Sequence, residues 1–203
     1  LFQPSRIEFT AAGSELKIEI KRGDLFTEPS NLAIPVNDFF DVEIGQPVAA
    51  DSIHGKFLQQ FFAGNALNAR RSLDTALRVA SASGQVDHAA GKRNVRYPLG
   101  QTCSIDVGGR HAVLVALSTA DAATRQVSVS LGQYVSALTD LWKGVRACCN
   151  HQQISVPLMG GGVSRTNLQP HQLADLILMT AVREHHKQAI ASKVVLVMRK
   201  EDP

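Results

Sequence analysis

The chain has 203 residues, 44% of them hydrophobic and 19% charged, enough apolar material for one sizeable core. Its formal net charge of +3 sits on scattered residues and short pairs such as Arg70-Arg71 and Lys92-Arg93, which suits an anionic small ligand and argues against nucleic acid. No apolar run approaches the ~18 residues of a membrane span, no signal-peptide pattern opens the chain, and three cysteines (Cys103, Cys148, Cys149) show neither metal-ligand spacing nor an even disulfide set, as expected of a reducing cytoplasmic setting.

In chain order, Arg6 to Thr10 and Glu15 to Lys21 read as two short strands, the second alternating Leu16, Ile18 and Ile20 with charged residues. The turn Arg22-Gly23-Asp24-Leu25-Phe26 follows. Leu32-Ala33-Ile34-Pro35-Val36-Asn37, brief and apolar between turn signals, suits a buried strand of a mixed or parallel sheet. Pro35 lacks a ladder donor, so a bulge or an unpaired position is expected there. Asp38-Phe39-Phe40-Asp41 opens a loop through Gly45 and Pro47, after which Ser52 is placed to cap a helix carrying Ile53, Phe57, Leu58, Phe61 and Phe62. A second helical pattern runs from Asn65 to about Ala80, and Ser81 to Lys92 reads as an exposed connection.

Strands are expected over Tyr97–Ile105 and Ala112–Ser118, around a Gly108-Gly109 turn; the second is nearly all apolar, as in a sheet covered on both faces. The longest helix runs from Val129 to about Cys149, with Leu131, Tyr134, Leu138, Leu141, Trp142 and Val145 on one stripe. Ile154–Leu158 is a strand entering Met159-Gly160-Gly161-Gly162-Val163-Ser164-Arg165. A helix from Gln169 to about Lys187, with Pro170 in its first turn, and a strand over Ser192–Met198 complete the pattern. Alternating strands and helices predict a single domain over 1–203, a three-layer α/β/α sandwich with a mixed, largely parallel central sheet.

Ligands in such folds gather at the carboxyl ends of strands, which singles out three loops. One carries Asn37, Asp38, Phe39 and Phe40, the next Ser118, Thr119 and Asp121, and the third is the glycine loop. Three glycines let the backbone turn sharply and present N–H groups to a phosphate, and the following helix adds the positive end of its dipole. Arg165 would supply a full charge. The loop has neither the Gly-Lys-Ser/Thr ending of a P-loop nor the spacing of G-x-G-x-x-G, so by itself it reads equally as a flexible connector. Each polar candidate also has a structural reading: Asp24 as a turn cap, Asp38 and Asp41 as turn residues, His54 as a first-turn residue, Arg165 as solvated surface. Met159 reads first as core. No G-x-S-x-G elbow accompanies Ser118, and the adjacent His185 and His186 point in different directions, so neither a hydrolase triad nor a metal site is expected.

Gly23-Asp24-Leu25 after an alternating strand, the apolar strand ending in Asn37, and the late strand running into a glycine-rich loop resemble the macro domain, an ADP-ribose-binding α/β/α fold. Ile34-Pro35-Val36-Asn37-Asp38-Phe39-Phe40-Asp41 followed by Ser52-Ile53-His54-Gly55-Lys56-Phe57 is similar to the divergent macro domains of Thoeris antiphage defence effectors, and the likeness spans about Glu15 to Met198. The resemblance implies roles. Asp24, with Leu25 beside it, would accept a hydrogen bond from the adenine amino group; a carboxylate only accepts and that group only donates. Asn37 would face the distal ribose. Gly160, Gly161, Gly162 and Val163 would wrap the diphosphate, with Met159, Ser164 and Arg165 flanking them. Phe39 or Phe40 would cover an adenine or ribose face, with Asp38, Asp41 and Ser118 nearby. Ser52, His54 and Gly55 would meet the phosphates or a group attached to the distal ribose.

Where many macro domains carry Asn-Ala-Ala-Asn and a first-loop Gly-Gly-Gly-Val, this chain has Asn37-Asp38-Phe39-Phe40 and no first-loop glycines. That departure argues against hydrolysis, and the likeness to the Thoeris effectors implies a sensor; no cofactor or metal is expected. A TIR-domain partner would make an ADP-ribose derivative from NAD, histidine–ADP-ribose being the expected form. Binding would drive assembly of a homo-oligomeric effector and then cell death or growth arrest. The alternative is an ADP-ribose-conjugate hydrolase with Asp38, Asp41 or His54 activating water; a pure protein-interaction domain would bind neither compound. Because the chain starts at Leu1 and has no methionine before Met159, it is expected to be part of a longer effector. This cytoplasmic domain would then be tied to the inner membrane through an N-terminal segment absent here.

Overall fold

The computed structural model describes residues 6–85, 93–121, 126–161 and 166–199. Strands β1 (Arg6–Thr10), β2 (Lys17–Arg22) and β3 (Asn31–Asn37) precede helices α1 (Ile53–Phe62) and α2 (Ala66–Ala76). The short β4 (Gly84–Gln85) and β5 (Val95–Arg96) pair with each other, and β6 (Thr102–Asp106), β7 (His111–Ala120) and β8 (Val127–Ser128) follow. Then come α3 (Leu131–Cys148), β9 (Ile154–Pro157), α4 (Pro170–Lys187) and β10 (Lys193–Met198). The central sheet runs β1-β2-β10-β9-β3-β7-β6, with β8 appended to the end of β7. Its five inner strands are parallel and both edges antiparallel. This is the expected mixed, largely parallel sheet.

The apolar strands are explained by helices on both faces. Along β7, Val113, Val115 and Leu117 enter the core beneath α3 and α4, while Ala112, Leu114 and Ala116 enter the core beneath α1 and α2. β10 divides in the same way, Val194 and Leu196 to one side and Val195 and Val197 to the other. Trp142 is fully buried between the helices and donates from Nε1 to Thr180 Oγ1 (2.9 Å), so its one polar atom is satisfied. Among the described residues no helix is long and apolar enough to cross a membrane.

One local outcome settles an open alternative, and two depart from the sequence pattern. Pro35 stays in register opposite Val115, and the irregularity falls one step later, between Val36 and Asn37. Asn31 donates its N–H to Gln153 on the β9 side (3.2 Å), so by alternation the ring nitrogen of Pro35 also faces β9. The two strands pair only at Asn31 and Leu32, hence the missing donor at Pro35 leaves no acceptor unmatched. Tyr97 to Gln101 is not strand: Gln101 N–H closes a turn onto the Pro98 carbonyl (3.0 Å), and β6 starts at Thr102. The second helix stops at Ala76 rather than near Ala80, the chain then tightening into turns.

Candidate ligand-binding site

Strands β3 and β9 share only their first residues and then diverge, and the sheet opens a crevice between their carboxyl ends. A cavity of about 220 Å³ fills it. Asn37 at the end of β3, Ser118 in β7, and Met159 and Gly160 after β9 line it, with Ser52 and His54 from the start of α1 closing one side. A second cavity of about 240 Å³ lies past the ends of β2 and β10, lined by Asp24, Leu25, Phe26 and Lys56. Ile53 and Arg199 line both, so the two adjoin along one rim as the two halves of a candidate cleft.

The start of α1 is built for this position. Ser52 Oγ accepts from Gly55 N–H (2.9 Å) and donates to the Ala49 carbonyl (2.6 Å), and the Ser52 carbonyl takes Lys56 N–H. The remaining first-turn N–H groups, of Ile53 and His54, have no acceptor among the described residues, and both residues line the cavity. Two unpaired donors at the positive end of a ten-residue helix favour an anion. Gly55 is required by packing: a Cβ there would lie 2.2 Å from the Ala49 carbonyl oxygen.

His54 is buried, its Nε2 without a hydrogen-bond partner, and burial pushes its pKa down to about 3. It meets the cavity as a neutral imidazole. Asn37 is largely committed to its own loop, since Oδ1 accepts from the N–H groups of Phe39 (3.2 Å) and Asp41 (3.3 Å) and Nδ2 donates to Asp41 Oδ2 (2.8 Å). Asp24 likewise caps the short 3₁₀ turn Leu25–Thr27, Oδ1 accepting from Phe26 N–H (2.9 Å); one carboxylate oxygen suffices for that task.

Several sequence candidates stand behind the cavity walls. Phe39 and Phe40 are both fully buried. Phe40 sits at φ 52°, edge-on to Tyr97, and Phe39 lies under the Arg96 guanidinium, 4.6 Å from its ring centroid. Asp38 accepts from Ala120 N–H (2.9 Å) and pairs with Arg96 (2.5 Å), while burial holds its pKa above the usual carboxylate range. Asp38 and Asp41 therefore brace the loop and are not among the lining residues. Of the three residues considered for water activation, His54 alone lines the cavity.

The glycine loop is held at its base. Tyr134 donates its hydroxyl to the Met159 carbonyl (2.8 Å), and Thr166 Oγ1 donates to the Gly160 carbonyl (2.9 Å). Gly161 is not among the lining residues, and a Cβ on it would stand 3.1 Å from Leu173. Gly162, Val163, Ser164 and Arg165 lie outside the described residues.

Sequence reasoning missed Asp51, Ile53, Lys56 and Arg199 as cleft residues. Arg199 follows β10, whose carboxyl end lies on the same rim, so the rule that selected the other three loops would have found it. Lys56 carried no signal, because only the packing of α1 against the sheet decides which of its first-turn side chains face the cleft.

Solved structures share this architecture. A point mutant of the Oceanobacillus iheyensis macrodomain superposes with a TM-score of 0.63 at 13% identity, covering 98% of this chain and 91% of its own. The Oceanobacillus iheyensis macrodomain with ADP gives 0.60 at 12% identity over 97% and 90%. The fold is that of a macro domain. Among curated proteins, Thoeris protein ThsA of Bacillus amyloliquefaciens (strain Y2) is 24% identical over 207 residues, covering 98% of this chain and 67% of the relative. The chain belongs to the family described as Thoeris protein ThsA, Macro domain, whose family model matches residues 18–199. The resemblance carried by Gly23-Asp24-Leu25 and the segments after it is thereby confirmed, and with it a place in Thoeris antiphage defence.

Proposed function

We propose that this chain is the sensor domain of a Thoeris effector. It binds an ADP-ribose-type signal made from NAD by a TIR-domain partner, holds the signal intact, and passes binding on as effector assembly that ends in cell death or growth arrest. The observation that carries this reading is the adjacency of the two cavities, which share Ile53 and Arg199 as lining residues. A carboxylate suited to an adenine amino group, Asp24, lines one half, and a helix start suited to phosphate lines the other. ADP in the solved Oceanobacillus relative supports the same ligand chemistry.

Histidine–ADP-ribose is the derivative we favour. The cavity that does not hold Asp24 is lined in part by Asn37, His54 and Ser118, polar groups suited to a further substituent on the distal ribose. A sensor rather than a hydrolase is favoured because Asp38 and Asp41 are engaged in holding the first loop and burial lowers the basicity of His54, which makes it a weak proton acceptor. Any attachment of the whole protein to the inner membrane would lie outside this domain.

The test is calorimetry with ADP-ribose and histidine–ADP-ribose, followed by mass analysis of the recovered ligand. The reading requires tight binding of a compound that is recovered unchanged. Breakdown of the ligand would move the assignment to catalysis around His54, and absence of heat with both compounds would overturn it.

A further inference from the structure

The two edges of the sheet are finished differently. β6 is half-buried, with α2 and α3 packed across it. β1 is exposed at all five residues, and β2 is its main neighbour. A hydrogen bond from Ala11 N–H to the Leu16 carbonyl (2.9 Å) sets the direction of its backbone groups. In an antiparallel ladder alternate residues face alternate sides, so Phe9 and Ile7 turn their N–H and C=O toward β2, and Arg6, Glu8 and Thr10 turn theirs outward.

The side chains divide equally cleanly. Phe9 stands opposite Ile18 and Ile7 opposite Ile20, on the face that α3 and α4 cover further in. The apolar row thus runs past its helical cover, leaving Ile7 49% and Phe9 43% exposed. On the other face Arg6 pairs with Glu8 (2.6 Å) and Glu19 (2.9 Å), and Lys193 with Glu8 (3.1 Å) and Glu19 (2.5 Å), which pins the strand flat against the sheet. Several protections of an edge are missing: β1 holds no proline and no lysine, its register with β2 is unbroken, and its two charged residues, Arg6 and Glu8, are engaged in ion pairs with the sheet.

We infer that β1 pairs antiparallel with β1 of a second copy of this chain, about a two-fold axis at Glu8, joining two sheets into one. The strand is self-complementary in that register. The outward backbone groups of Arg6, Glu8 and Thr10 meet their counterparts, Ile7 lies opposite the Phe9 of the other copy, and Arg6 lies opposite Thr10 and diagonal to Glu8. The two Glu8 carboxylates approach across the axis, each already neutralised by Arg6 and Lys193. Such a contact is isologous and closed, so it stops at a dimer. Five residues a side make a small interface, and the association is therefore weak and concentration-dependent.

Sedimentation velocity on this chain without ligand tests the inference, from about 10 µM to about 1 mM, the range in which a small interface populates both species. A reversible monomer–dimer equilibrium is expected. Phe9→Lys should weaken it at least about tenfold by placing a desolvated charge at the contact, while thermal melting confirms that the variant folds. Glu8→Cys should cross-link on oxidation with diamide, because residues directly opposite in a hydrogen-bonded pair have Cα atoms about 5.5 Å apart, within disulfide range. Thr10→Cys and the unsubstituted chain should not. A monomer throughout, a dimer indifferent to Phe9→Lys, or equal cross-linking from Thr10→Cys would overturn the proposal.

Discussion

Tyr134 in α3 donates its hydroxyl to the carbonyl of Met159, 2.8 Å away, and the same ring lies under Gly160. One fully buried side chain thus ties off β9 and sets what the next residue can be. Gly160 has φ 96°, and a Cβ on it would stand 2.9 Å from Tyr134 Cε2. We expect Gly160→Ala to cost about 1–3 kcal/mol and Tyr134→Phe, which strands a buried carbonyl, a similar amount. Because the two share one contact, the double variant Tyr134→Leu with Gly160→Ala should cost less than the sum of its singles. Urea unfolding of the unsubstituted chain, Tyr134→Leu, Gly160→Ala and the double variant reads this directly, and strict additivity would show that ring and glycine act separately.

His54 gives stability a predictable pH dependence. Its folded pKa, about 3, lies below the ordinary value of 6.5, so in that interval the unfolded chain binds a proton that the folded chain refuses. The contribution is complete above about pH 6.5 and is lost as pH falls toward 3. At pH 4.5 the loss should be on the order of 2–3 kcal/mol relative to pH 7. Asp38, raised by burial, acts in the opposite sense and offsets part of it. His54→Phe should flatten the acid side of the urea-midpoint profile; an unchanged slope would remove His54 from the account.

Asp24 has two tasks that one substitution separates. Asp24→Asn keeps an oxygen for Phe26 N–H and so the cap, and stability should stay within about 0.5 kcal/mol. Affinity for ADP-ribose should fall about tenfold or more, because the amide lacks the charge that strengthens a hydrogen bond from the adenine amino group. Equal losses of stability and affinity in paired melting and calorimetry would mean that Asp24 acts through the turn alone.

Gly55→Ala should damage the anion end of the cleft without touching any polar side chain there. The added methyl meets Ala49 and Ala50 and must push the loop away from α1, at about 1–3 kcal/mol. Ligand affinity should drop with it, since the Ile53 and His54 amides move. A variant of normal affinity would place the anion elsewhere.

Hydrogen exchange with and without ADP-ribose should show added protection in the loop from Phe39 to Asp51 and in the glycine loop, with little change in β7 or β10. Unchanged exchange in both loops would rule them out as the responsive parts.

The layered fold was legible because periodicity reports burial locally. Ser52 and Asn65 cap α1 and α2 as their residue types demand, and the apolar run of β7 implies cover on both faces. The three strand-end loops around Asn37, Ser118 and Gly160 were legible too, since their rule depends on strand direction alone. Sequence could not say which of a bulge or an unpaired position Pro35 would take, that Phe39 and Phe40 both turn inward, or that Lys56 borders the cleft. Alternation states which side a side chain leaves from, whereas what awaits it there is set by partners far along the chain: β9 ending its pairing at Leu32, Arg96 lying over Phe39, and α1 folding back across the rim.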